Sequence, residues 1–132
     1  MSWITPSFNA GDFVASPSGL WTVREEDVIT YEYKIVDGDT MLLNWVIGNT
    51  NVSGNPTSLR MWIPGGYRAV KRLEPPMYFT DGCEDKLMGY ADINPAQPGW
   101  IGHFRLDLAP WKTTTARNTA LHGSAAFAVV LP

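Results

Sequence analysis

Between Asp27 and Ile47 the chain alternates with a period of two, so that every second side chain in each of two segments is apolar. Residues 27–36 place branched and aromatic side chains on one face: Ile29, Tyr31, Tyr33 and Ile35. Asp37 and Gly38 follow, a dipeptide favoured in tight hairpins because both residues tolerate positive φ. Residues 40–47 then repeat the alternation with Met41, Leu43, Trp45 and Ile47. A period of two is typical of half-buried strands, so these segments predict an antiparallel hairpin.

Shorter segments with strand-like composition follow along the chain: 20–23, 59–63, 77–79, 86–93, 100–106 and 125–131. Residues 48–56 and 113–119 are polar and predict connections, with a short strand at 50–53 as an alternative within the first. No segment fits a helix of adequate length. Turn residues recur about every eight to twelve positions. The pattern predicts a single all-β domain over residues 1–132, an antiparallel, jelly-roll-like β-sandwich of about 8–10 short strands.

Composition and charge argue against several classes of protein. Charged residues make up 17% of the chain and the net charge is −3, and no basic run is present, so nucleic-acid binding is not expected. Cys83 is the only cysteine, which excludes an intrachain disulfide. The first residues lack the charged and apolar regions of a signal peptide, and no apolar run is long enough to insert into a membrane. Synthesis in the cytoplasm is therefore expected.

The sequence contains no nucleophile elbow, phosphate-binding glycine loop or zinc-binding helix motif. A small metal-dependent jelly-roll enzyme would need His103, His122 and Asp107 to converge, although the histidines lack the close spacing of such sites. The acidic segment 81–85 is rich in calcium-type ligands but too short to supply them all, so it predicts a solvated turn. We therefore expect no enzymatic activity, no cofactor and no metal.

Aromatic residues are abundant, with six Trp, five Tyr and five Phe. Four of them lie near predicted loops or sheet ends: Trp62, Tyr67, Trp100 and Trp111. Flat aromatic rings stack against sugar rings and also anchor protein interfaces. These four residues are the predicted binding residues, and a carbohydrate-binding module is one interpretation of the chain.

Several short groups of residues, spread over nearly the whole chain, carry a resemblance to a known family: Phe13 and Ala15, Trp21 to Val23, Asp27, Val28, Thr30, Tyr31, Tyr33, Thr40, Met41, Val52 to Gly54, Pro56, Leu59, Ile63, Pro64, Phe104, Arg105, Asp107, Trp111, Asn118, Thr119 and Gly123. The chain resembles the short jelly-roll-like β domains of phage tail-fibre, decoration and related virion proteins. The resemblance implies a non-enzymatic structural or adhesion module located in the virion. It further implies a homo-oligomer such as a trimer, or docking on other virion proteins, and binding of a host-surface receptor such as a glycan.

Overall fold

The computed structural model describes residues 2–82 and 84–131, and for residues 84–86 it describes the backbone alone. Ten β-strands account for most of this part of the chain: β1 (Phe13–Ser16), β2 (Trp21–Thr22), β3 (Val28–Val36), β4 (Thr40–Val52), β5 (Ser58–Trp62), β6 (Arg68–Ala69), β7 (Pro76–Asp81), β8 (Glu84–Ile93), β9 (Trp100–Arg105) and β10 (Thr114–Val130). The described residues outside the strands form loops and three 3-10 turns at 10–12, 25–27 and 64–66. The predicted all-β class is confirmed.

Every strand pairing is antiparallel, and the strands form one sheet in the order β1-β5-β9-β8-β7-β10-β4-β2. Two further strands lie outside this linear order: β3 pairs with β4, and β6 pairs with β10. The two ends of the path, β1 and β2, follow one another in the chain and are in contact. The sheet therefore curls into a nearly closed, barrel-like shape, and the pairing does not establish the jelly-roll order.

The predicted hairpin is present as β3 and β4, with Tyr31 opposite Trp45 and Tyr33 opposite Leu43. The whole predicted inner face of β4, from Met41 to Ile47, is buried in the core. Ile29 differs from its predicted position, because a β-bulge between Val28 and Thr30 shifts the register and leaves its side chain 62% exposed.

Large parts of the two predicted connections belong instead to long strands, and the alternative of a strand at 50–53 overlaps the end of β4. β4 continues to Val52 through Asn49, which has a φ of 59°. β10 begins at Thr114 and passes Arg117 at a φ of 57°, with register shifts on either side of Thr119. Irregular positions of this kind let a strand continue through polar residues that otherwise indicate a loop.

The barrel interior is filled by apolar side chains from all around the sheet, the largest being Trp45 and Trp111. The polar groups inside are mostly bonded: the Trp21 indole N–H donates to the Thr50 hydroxyl, and that hydroxyl donates to the Thr119 carbonyl. Within the described part of the chain, no helix is long and apolar enough to cross a bilayer. The outward side chains of the sheet carry the candidate site.

Candidate functional site

The candidate site lies on the outer surface of β5, β9 and β8. The register places Arg60 opposite Gly102, and Gly102 opposite Asp92. Neighbouring strands lie about 4.8 Å apart, so the backbones at Arg60 and Asp92 are separated by about 10 Å. Gly102, which has no side chain, lies between this cation and this carboxylate. Together with Asn94, Gln97 and Trp100, these residues line a hollow of about 240 Å³, called here the outer groove: Arg60, Asp92, Asn94, Gln97, Trp100 and Gly102.

Stacked aromatic pairs stand on both sides of Gly102 along β9. Trp62 and Trp100 stack with ring centroids 3.7 Å apart and planes inclined by 23°. Tyr90 and Phe104 stack at 5.5 Å and 17°. Trp62 remains 39% exposed, and it lies so close to Gly99 that a Cβ there would overlap its ring. A second hollow of about 510 Å³ adjoins the outer groove and is lined by both indoles.

Arg60 is held in place by three contacts. Its Nε and Nη2 groups donate to the carbonyl oxygens of Val14 and Ala15, each at 3.3 Å. Its guanidinium carbon lies 5.0 Å from the centroid of the Trp100 ring, which is cation–π distance. Guanidinium has five N–H donors, so further donors remain for a ligand in a side chain whose direction is already fixed.

Asp92 supplies the acceptor on the opposite side of Gly102. Burial raises the pKa of this carboxyl, opposed by the charge of Arg72, whose Nε lies 3.6 Å from Oδ1. That separation counts as an ion pair but exceeds a hydrogen bond, and Oδ1 has no hydrogen-bond partner among the described residues. Oδ1 is itself shielded from solvent, but the Asp92 side chain as a whole is 23% exposed, so the other carboxylate oxygen is the acceptor that a ligand in the groove can reach.

The structure brings together two of the four predicted binding residues, Trp62 and Trp100. Tyr67 lies apart from them, half-buried against Tyr33 with ring centroids 6.3 Å apart. Trp111 is fully buried: it packs on Phe79 at 4.6 Å and its indole N–H donates to the His103 carbonyl. Its prediction as a surface contact is wrong, because the segment after β9 turns this ring into the barrel interior.

Sequence reasoning missed the polar part of the site. The alternation in 59–63 already placed Arg60 on the same face as Trp62, opposite the buried Leu59. That signal could have identified Arg60. The sequence alone could not have assigned Asp92 and Gly102 to the same site. Their position beside Arg60 depends on which strands are neighbours, and periodicity does not encode strand order.

The residues of the metal-enzyme alternative do not converge. His103 is buried in the core, with Nδ1 2.7 Å from the Leu59 carbonyl, whereas His122 lies on the outer surface beside Tyr78. Among the described residues, no cluster of three or more His, Cys, Asp or Glu side chains is placed to hold a metal ion.

The acidic turn is not simply solvated. Asp81 is buried and accepts hydrogen bonds from the Arg105 guanidinium and the Lys112 amide. The prediction is wrong for Asp81, since its charge is paired inside the protein. Cys83 lies outside the described residues, and the side chains of Glu84 and Asp85 are likewise not described.

An aromatic platform beside fixed donors and acceptors suits a ligand with flat apolar faces and a rim of hydroxyl groups. Comparisons of this chain with protein-family models, curated proteins and solved structures found no match.

Proposed function

We propose that this protein is a non-enzymatic binding domain whose outer groove recognises a carbohydrate. The observation that carries the proposal is the row Arg60–Gly102–Asp92 between two stacked aromatic pairs. A pyranose ring presents C–H groups on its faces and hydroxyl groups around its edge. Indole and phenyl rings match the faces, and the guanidinium and carboxylate match the hydroxyl groups as donor and acceptor.

The shape of the groove supports an extended chain rather than a single sugar. It opens beside the second hollow, and the two share Arg60, Gln97 and Trp100. A glycan lying along β9 would contact both hollows in succession. Such a domain fits the adhesion role implied by the resemblance to phage virion modules, in which a particle-borne domain binds a host-surface glycan.

A glycan array tests the proposal. The wild-type protein is expected to bind a subset of oligosaccharides, and Trp62→Ala should weaken that binding at least tenfold, a typical loss for a truncated aromatic anchor. Trp3→Ala is the matched control, because Trp3 is also 39% exposed but lies on the N-terminal segment, above Lys34. No bound glycan, or equal losses for the two variants, would contradict carbohydrate recognition at the outer groove.

The second candidate function is structural assembly, the other role implied by the virion resemblance. Four large apolar side chains are exposed on β7, on β8 and on the segment after β9: Tyr78, Met88, Leu106 and Leu108. Tyr78 lies opposite Met88, and the Leu106 amide donates to the Met88 carbonyl. We propose that a second copy of the chain covers this patch in a closed homo-oligomer such as a trimer.

Light scattering on a sizing column tests assembly independently of sugar binding. The wild-type chain is expected to elute with the mass of a defined oligomer, and Met88→Asp should convert it to a folded monomer. Val70→Asp is the control, since it also replaces an exposed apolar side chain by aspartate but lies away from the patch. A wild-type monomer at high micromolar concentration would contradict assembly through this surface.

A further inference from the structure

The N-terminal segment lies along the free edge of β3 but pairs with it at a single residue. The Ile4 amide donates to the Tyr33 carbonyl at 2.7 Å, and the Tyr33 amide donates to the Ile4 carbonyl at 2.9 Å. Both Tyr33 groups therefore point away from β4. Because backbone groups of an antiparallel strand alternate in direction, the amide and carbonyl of Tyr31 point to the same free edge.

The pairing cannot continue from Ile4 to the next position. Its register would place Pro6 opposite Tyr31, and proline has no N–H to donate. No backbone partner for the Tyr31 amide or carbonyl is found within residues 2–82 and 84–131. The segment separates from β3 here, and a cleft of about 250 Å³ lies between them.

The cleft has a definite chemical character. Its described lining contains three carboxylates, Asp12, Glu25 and Glu32, and no lysine or arginine. Burial raises the pKa of Asp12, as expected for a carboxyl that is partly desolvated without a cation beside it. Phe8 and Ile29 add apolar surface, and the Ile29 side chain is exposed by the bulge in β3.

We propose that this cleft is a peptide-binding site, in which an extended segment of a partner protein with alternating basic and apolar residues adds as a strand beside Tyr31. Backbone pairing with Tyr31 supplies the hydrogen bonds that Pro6 cannot. Basic side chains of the partner face the carboxylates, and its apolar side chains cover Phe8 and Ile29. This mode of recognition takes affinity from the strand edge and specificity from the flanking side chains. The site is separate from the outer groove.

A synthetic heptapeptide of alternating Lys and Val, blocked at both ends, is the probe. It is expected to bind the full chain in calorimetry, whereas the corresponding Glu–Val peptide is not. In NMR hydrogen exchange, binding should protect the Tyr31 amide, and the Tyr33 amide should change little because Ile4 already covers it. Two further probes carry N-methyl groups on all Lys or on all Val residues. The amides of alternate residues lie on opposite edges of an extended peptide, and strand addition uses only one edge. The peptide methylated on that edge should therefore bind more weakly than the peptide methylated on the other.

Protein variants test the electrostatic part of the proposal. The double variant Glu25→Gln/Glu32→Gln lacks two of the carboxylates. It should bind the Lys–Val peptide about tenfold more weakly, the combined effect of losing two partly exposed ion pairs. Glu26→Gln is the control, because Glu26 adjoins Glu25 but lies outside the cleft lining. Three outcomes would overturn the proposal: no binding at millimolar peptide, equal binding of the Glu–Val peptide, or an unprotected Tyr31 amide in the complex.

Discussion

Gly123 of β10 lies directly opposite Trp45 of β4, and the indole of Trp45 occupies the space that a side chain at Gly123 would need. A Cβ built on Gly123 would overlap three atoms of the Trp45 ring. Trp45 is almost completely buried and also packs edge-on against His103 at 5.7 Å. The missing side chain at Gly123 is therefore what admits the Trp45 indole to the core.

Replacing this glycine should strain the core. We expect Gly123→Ala to lower the free energy of unfolding by about 1–3 kcal/mol, the usual cost of overpacking, because Trp45 has little room to move. Urea denaturation measures the loss. Ala126→Val is the control, since Ala126 lies on the same strand with its side chain exposed. An unchanged midpoint for Gly123→Ala would show that the Trp45 ring is not confined in this way.

Acid should destabilise the fold through His103. Its Nδ1–H donates to the Leu59 carbonyl, and its Nε2 is enclosed without a partner among the described residues. Burial lowers the pKa of His103 from 6.5 to about 4. The unfolded chain binds a proton at His103 more tightly than the folded chain does. The contribution of neutral His103 to the free energy of unfolding is therefore complete above pH 6.5, and it is lost as the pH falls from 6.5 to about 4. The full loss is about 3 kcal/mol.

The check is urea unfolding at pH 7 and pH 4 for the wild-type chain and for His103→Gln. Glutamine does not titrate, so the variant should show a smaller difference in unfolding free energy between the two pH values. Equal differences for the two proteins would mean that other groups cause the acid sensitivity.

Arg105 forms two ion pairs, one with a buried carboxylate and one with an exposed carboxylate. Its guanidinium donates to Asp81, which is fully buried, and to Asp107, whose side chain is 58% exposed. Asp81→Asn should lower the free energy of unfolding by about 3 kcal/mol, because it removes a charge partner inside the protein. Asp107→Asn should cause a much smaller loss, because solvent screens that pair. Thermal melts of the two variants compare them directly, and equal losses would contradict the assignment.

Filling the outer groove should remove binding without unfolding the protein. The three atoms nearest to a Cβ at Gly102 would all belong to the Phe104 side chain, the closest being Cε2 at 3.0 Å, and a β-branched residue suits a strand. We therefore expect Gly102→Val to lower glycan affinity at least tenfold while the melting temperature changes little. Calorimetry with the glycan selected on the array provides the affinity. Retained affinity in a folded Gly102→Val protein would place the ligand elsewhere.

The sequence predicted the parts of this molecule that depend on local periodicity. The β3–β4 hairpin and the opposite directions of Leu59 and Trp62 follow from alternation and from the Asp37–Gly38 turn. Strand order, the bulge at Ile29 and the burial of Trp111 depend on contacts between distant segments. Arg60 was therefore the one polar residue of the site that alternation could have identified, whereas its juxtaposition with Asp92 and Gly102 was not accessible before strand neighbours were known.

The most direct test of carbohydrate recognition uses the indole N–H signals of the six tryptophans. The array-selected glycan is titrated into ¹⁵N-labelled protein, and the signals are assigned by single substitutions. Recognition at the outer groove predicts that the Trp62 and Trp100 signals shift on binding, while those of the buried Trp45 and Trp111 stay in place. Shifts confined to Trp3, or no indole shift on binding, would contradict the proposed site.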